Sequence, residues 1–323
     1  MAPLTGRAVF LLVILLSGCE RGPWPDFDTL WNFDDPAATE ERFHEILDRR
    51  PPDLDYRLQL TTQLVRAVGL QGRFDEGLAL LGSVSGDLPE ANDVTRVRWL
   101  LEQGRLYNSA GSPVLARRPL EEAFGLASPP EDARATRDPA LDRYAVDAAH
   151  MLAILHEGRD RIAWNRRAIA LADASDDPGA RAWLGSLYNN LGFAEMDAGR
   201  YKAALKTHRK AHAWYSAEGD ARWARVSRWA EGKTLRLLDR CDDALEIQQA
   251  LEAAWDADGA PDGYVFEEIA ECRLLQGEEE VARLYFARAL ELLRTDAWLV
   301  EHESDRLERI EALSRTPDTA TDE

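Results

Sequence analysis

The 323-residue sequence predicts an all-α solenoid of about six helix pairs with a capping helix at each end. Three observations predict it. A loosely conserved unit recurs with first positions at Leu58, Val97, Tyr144, Gly185, Arg225 and Gly263, spaced by 39, 47, 41, 40 and 38 residues, and a period of this size marks stacked repeats. Glycines such as Gly72, Gly111, Gly199 and Gly277 fall between segments of helical apolar period, where they end one helix before the next begins. Both ends carry an apolar stripe of the kind that seals a solenoid's outermost repeat.

Taken in order, residues 1–18 read as an export signal. Arg7 precedes nine apolar residues, Ala8 to Leu16, too few for the roughly 20 that cross a bilayer. Leu16-Ser17-Gly18-Cys19 then resembles the bacterial lipobox, which implies cleavage before Cys19 and a diacylglycerol on its sulfur. Loss of the signal would change the formal charge from −19 to −20. Residues 19–35 form the lipidated tether. Trp24, Phe27, Leu30 and Trp31 are too apolar for a plain spacer, so they either dock on the solenoid, the favoured alternative, or sit at the membrane surface.

Residues 36–57 hold the N-terminal capping helix and a linker. Asp35-Pro36 has the form of an N-cap followed by proline at the first helical position, and Phe43, Ile46 and Leu47 make one stripe. The solenoid spans 58–293. The long spacing of 47 contains an insertion from Ser128 to Pro139 that is expected to be a surface loop. Residues 294–313 make the C-terminal capping helix, with Trp298, Leu299, Leu307, Ile310 and Leu313 on its apolar side, and 314–323 an acidic disordered tail.

The clearest stretch runs from Ser186 to Ala211, with Gly192, Tyr201 and Ala204 at the eighth, seventeenth and twentieth places of the unit that begins at Gly185. It resembles the tetratricopeptide repeat, in which small residues at the eighth and twentieth places let two helices approach and the aromatic at the seventeenth fills the turn. The resemblance implies a right-handed superhelix. Spacings above the usual 34 imply lengthened helices, as in extended-helix members such as kinesin light chain.

No catalytic pattern survives inspection, so the chain is read as non-enzymatic, with no cofactor and no metal. Gly232-Lys233-Thr234 lacks the glycine that a phosphate-binding loop needs five places earlier, where Ser227 stands, and is read as helix surface. His208 and His212 are four apart, but Lys206, Arg209 and Lys210 would repel a cation, so they are read as a solvated face. His150 is expected to face a neighbouring helix. Asp176-Asp177 and Asp242-Asp243 are read as solvated turns and caps between helices. Cys241 and Cys272 could pair only if the fold brings them together.

By the resemblance, partners bind along the concave face, at the second, fifth, ninth, twelfth and thirteenth places of each repeat. The candidate groove residues are Arg66, Arg98, Arg105, Asn108, Asn189, Phe193, Trp229, Lys233, Arg236 and Tyr264. At the thirty places five residues are cationic and three acidic, whereas the whole chain has 39 Lys and Arg against 58 Asp and Glu. The groove therefore leans basic inside an acidic body, which would suit an extended protein or peptide segment carrying carboxylates. The alternative is that these arginines pair with acids on adjacent helices. The net charge excludes nucleic-acid binding through the overall field.

The sequence-level expectation is a lipid-anchored adaptor at a bacterial cell envelope, on the periplasmic face of the outer membrane because Glu20 replaces the aspartate associated with inner-membrane retention, with the inner membrane the other possibility. An envelope enzyme using His150 or His156, or a small-molecule sensor, are the competing readings.

Overall fold

The computed structural model describes residues 24–128 and 138–315, and these are all-α. Cys19 and the stretch read as an export signal, most of the insertion after Ser128, and the tail beyond Arg315 lie outside the described residues. Six helix pairs follow one another: α2 (Leu54–Leu70) with α3 (Phe74–Val84), α4 (Asp93–Ser109) with α5 (Pro113–Ala127), α6 (Leu141–Ile154) with α7 (Gly158–Asp173), α9 (Leu184–Asp197) with α10 (Tyr201–Glu218), α11 (Ala221–Arg236) with α12 (Cys241–Ala257), and α13 (Gly263–Leu275) with α14 (Glu279–Leu293). Helix α1 (Pro36–Asp48) precedes them, and the single turn α8 (Pro178–Arg181) lies between α7 and α9. The helices of the six pairs pack in succession, α7 meeting α9 past the short α8, as a solenoid requires. No described helix is long and apolar enough to cross a membrane.

Local chemistry explains the boundaries. Asp35 caps α1 by accepting the Ala38 amide at 3.0 Å with Pro36 in the first turn, and Asp53, Asn92, Asp220 and Asp262 cap α2, α4, α11 and α13 through their side chains. Between α9 and α10, Gly199 takes φ 68° so that its own amide reaches Met196 O at 2.9 Å and that of Arg200 reaches Glu195 O at 2.8 Å. These two bonds satisfy carbonyls that the helix end leaves free. The fifth pair makes the same turn with Asp239 at φ 58°, its bonds running to Arg236 O at 2.9 Å and Leu235 O at 3.0 Å.

The largest core lies in the middle, where Leu101, Leu120, Leu152, Ala168 and Leu187 join α4 to α9 in one cluster. A second cluster of Leu235, Ile247, Leu251 and Ile269 joins α11 to α13. At the N-terminal end Phe27, Phe43, Leu60 and Leu64 pack together with Trp24, Leu30 and Trp31, so the apolar tether residues dock on the solenoid.

Five expectations are corrected. The C-terminal cap is two short helices, α15 (Ala297–His302) and α16 (Ser304–Ser314). Leu299 and Ile310 are fully buried there, but Trp298 is exposed and lies stacked on His302. His208 is fully buried and not on a solvated face, because Gly192 leaves room for its ring between α9 and α10. Gly232-Lys233-Thr234 is helical but not helix surface: Thr234 is buried, and a methyl group at Gly232 would meet Gln248 at 2.5 Å. Asp242 and Asp243 belong to the first turn of α12, where carboxylates favour the helix dipole.

Candidate functional site

The ten candidate groove residues all lie on first helices, those of five of the six pairs, with none on α6, and they divide into three regions. The cations in them are not free. Arg105 on α4 meets Asp147 of α6 at 2.8 Å and Glu102 at 3.2 Å. Arg66 on α2 lies 3.8 Å from Glu102. Arg98 reaches Asp28 of the N-terminal segment at 2.8 Å and donates to the Tyr144 hydroxyl at 2.8 Å. Lys233 and Arg236 on α11 both hold Glu268 of α13, at 3.2 and 2.7 Å. The excess of positive charge is thus spent on carboxylates of neighbouring elements. Burial would push the carboxyls of Asp147 and Glu268 up, but their cationic partners hold both below the usual range.

At the C-terminal end the acids of the face are taken as well. Arg306 and Arg309 of α16 bind Glu267 and Glu271 of α13. Tyr264 donates its hydroxyl to Asp296 at 2.7 Å, and the Trp229 indole donates to the Tyr264 carbonyl at 3.1 Å. Trp229 is half-buried, with Lys233 over its ring.

The central region differs. A pocket of about 430 Å³ lies between α6, α7 and α9, lined by His150, Ala153, Ile154, Arg161, Asn165, Asn190, Phe193 and Ala194. Asn165 is 2% exposed, and its amide group donates to the Arg161 carbonyl at 3.0 Å while its Oδ1 has no protein donor. One helix away, Asn189 Oδ1 is buried without a donor too. Asn190 Nδ2 and His150 Nδ1 are 3.5 Å apart. Burial pulls the His150 imidazole below its ordinary value, Asp147 opposing and Arg105 adding to the shift, which favours the neutral ring, able both to donate and to accept. Phe193 supplies an apolar wall and sits 6.4 Å from Trp229, ring centre to ring centre.

Sequence reasoning placed Asn189 and Phe193 on this face and singled out His150, but it missed Asn165, Asn190 and Arg161. Asn165 and Arg161 come from the second helix of a pair, which the repeat template does not assign to binding. The one available signal was the Asn189-Asn190 doublet between Leu187 and Leu191, two amides in an otherwise apolar helix. Asn108 is half-buried near the end of α4, away from the lining of this pocket. His156 also stands apart, its Nδ1 2.6 Å from the Leu152 carbonyl and its ring beside Trp164. Among the described residues no group of three or more His, Cys, Asp and Glu side chains is arranged to hold a metal ion. Cys241 and Cys272 are both free thiols, and burial pushes that of Cys272 up.

Comparison with known proteins agrees with this architecture. Residues 183–257, which are α9 to α12, match the tetratricopeptide repeat family model. No curated protein matches the chain. Among solved structures, the apo form of RapI is similar over 90% of this chain and 80% of that one, at 10% identity and a TM-score of 0.71. A signal-transduction ATPase with numerous domains and a tetratricopeptide repeat sensor, from Pyrococcus horikoshii, is similar at 13% identity and a TM-score of 0.64, over 84% of this chain and 42% of that one. NprR in complex with its cognate peptide NprX is similar at 12% identity and a TM-score of 0.50, over 92% and 85%. At these identities the likeness is one of fold.

Proposed function

We propose that this tetratricopeptide-repeat chain is a non-enzymatic adaptor that binds an extended segment of another protein, or a peptide, along the face formed by the first helices of its pairs. The observation that carries this reading is the pocket beside Phe193, where a buried amide oxygen of Asn165 has no protein donor. An extended backbone offers amide N–H groups and carbonyls at regular intervals, and Asn165, Asn190 and neutral His150 present the complementary acceptors and donors. Phe193 and half-buried Trp229 add the apolar surface on which such anchors gain most of their energy. The fold of NprR, solved with its peptide, is consistent with this use of the architecture. The pocket volume also lies in the range of small-molecule sites, which keeps a sensor as the second reading.

We also propose that Cys19 is lipidated and holds the chain at a bacterial envelope membrane, on the periplasmic side of the outer membrane. Trp24 lies five positions after Cys19, at most about 18 Å of extended chain, so the lipid would keep the N-terminal end of the solenoid close to the bilayer surface. Metabolic labelling with an alkyne fatty acid, lost in Cys19→Ser, checks this part.

The binding reading is tested by photo-crosslinking in cells from position 193, with a probe at exposed Val114 on α5 as control, and mass spectrometry of the captured segment. One extended segment captured from 193 alone, and lost in Asn165→Ala, supports the adaptor. Absence of capture, together with a small metabolite that raises the melting temperature, would replace it with the sensor.

A further inference from the structure

Residues Trp24–Asp34 contain a single helical turn, Phe27–Leu30, yet they do not run free in solvent. They lie against α1, where Trp31 meets Phe43 edge to face and Asn32 is hydrogen-bonded to Thr39, and against α2 and α4, on two of the residues that the sequence assigns to partner binding. Asp28 accepts from both terminal nitrogens of Arg98, at 2.8 and 3.2 Å. Phe27 lies under the same guanidinium, 5.1 Å from its centre, and Arg66 lies 6.0 Å from the Phe33 ring. The Trp31 indole donates to Gln63 Oε1 at 2.9 Å, and the Tyr56 hydroxyl donates to the Pro25 carbonyl at 2.8 Å. A carboxylate fork, an indole three residues later and a backbone carbonyl are the contacts an extended acidic peptide would make.

The burial of the two charges is unequal. The Arg98 side chain is 5% exposed and Asp28 43% exposed, so the cation is built into the face and the carboxylate arrives at its rim. Arg105, Lys233 and Arg236 draw their carboxylates from neighbouring repeat helices. Arg98 draws the one it is hydrogen-bonded to from the N-terminal segment, and without it the buried guanidinium would keep one hydrogen-bond acceptor, the Tyr144 hydroxyl, with the charge of Glu102 nearby, which is disfavoured. A carboxylate arriving at this end of the face therefore completes the set of acceptors around Arg98.

Resting on the peptide-binding reading above, we propose that Trp24–Asp34 is an intramolecular ligand for the N-terminal third of the face, and that the partner bound there is an extended acidic segment of the same chemistry, a carboxylate followed three residues later by an aromatic ring. The partner gains the face by exchange with the tethered segment. Because the segment joins α1 directly, it competes at the high effective concentration of a short linker, which lowers the apparent affinity for the incoming chain.

The test uses the full chain and a fluorescein-labelled peptide of residues 24–34 as the probe, with binding followed by anisotropy. A variant combining Asp28→Asn and Trp31→Ala disengages the tethered copy and is expected to bind the probe at least tenfold more tightly than the wild type. Adding Arg98→Ala, or using a probe with Asn in place of Asp28, is expected to abolish that gain. A folded variant that binds no better than wild type, or binding indifferent to Arg98, overturns the proposal and makes the segment a fixed part of the fold. Hydrogen exchange on the wild type covers the case in which the variant unfolds: backbone amides of 27–34 are expected to exchange well before those of α2, and exchange only with global unfolding would overturn the proposal. Capture from position 193 combined with failure of this exchange sinks the present inference alone, while probe binding without capture at 193 sinks the central-pocket reading.

Discussion

Gly192 on α9 lies directly beneath the imidazole of His208 on α10, where an added methyl group would come within 2.4 Å of His208 Cε1. The relation recurs, since a methyl group at Gly104 would meet Leu120 at 2.5 Å and one at Gly232 would meet Gln248 at 2.5 Å. In each case a missing side chain on the first helix makes room for a buried one on the second. The His208 ring cannot step aside, because Phe193 meets it edge to face at 5.1 Å and Met196 Sδ lies 3.3 Å from its Nε2.

Gly192→Ala is therefore expected to destabilise the chain by about 1–3 kcal/mol, the usual cost of overpacking a closed core. Urea unfolding measures it. His208→Ala in the Gly192→Ala background should recover part of the loss, and strictly additive costs would mean that the two residues do not touch.

His208 also makes stability depend on pH. Burial pulls its imidazole down to about 4 from the ordinary 6.5, with Glu231 opposing the shift. As pH falls below 6.5 the unfolded chain takes up this proton and the folded chain does not, so the contribution is fully present above 6.5 and is lost progressively down to about 4. The full loss is on the order of 3 kcal/mol. Urea midpoints at pH 7.5 and 4.5 should differ less in His208→Met than in the wild type.

Glu268, 1% exposed, is held by Lys233 and Arg236. Removing it strands two cations near the core, and Glu268→Ala is expected to cost about 3–5 kcal/mol. The exposed Arg118–Glu122 pair at 2.8 Å provides the contrast, and Glu122→Ala should leave the unfolding midpoint unmoved. Equal effects from the two variants would contradict the burial difference.

Asp239 occupies the left-handed position that Gly199 fills in the preceding pair. Asp239→Gly should raise stability by about 1 kcal/mol through relief of backbone strain, read as a higher melting temperature. An unchanged or lowered value would mean that the aspartate side chain compensates for its backbone.

Much of the architecture was legible because its signals are local. Asp35-Pro36 starts α1 and Gly199 ends the α9 turn through their own backbone preferences, without help from distant residues. The central pocket was legible only in part. Phe193 sits at a template place and Asn189 next to the lining residue Asn190, but Asn165 and Arg161 reach the pocket from α7, and their relevance depends on how α7 packs beside α9.

The sequence by itself determined that this is a stack of helix pairs and where the pairs turn. The tertiary structure alone decided how the charges of the candidate groove are spent, that His208 points inward, and that Trp24–Asp34 covers the first two repeats. The physical reason is angular. One residue rotates a helix by about 100°, so whether Arg98 meets solvent, a neighbouring helix or Asp28 seventy positions earlier depends on the rotation and offset of packed neighbours. A repeat template describes each unit alone and carries no information about that register.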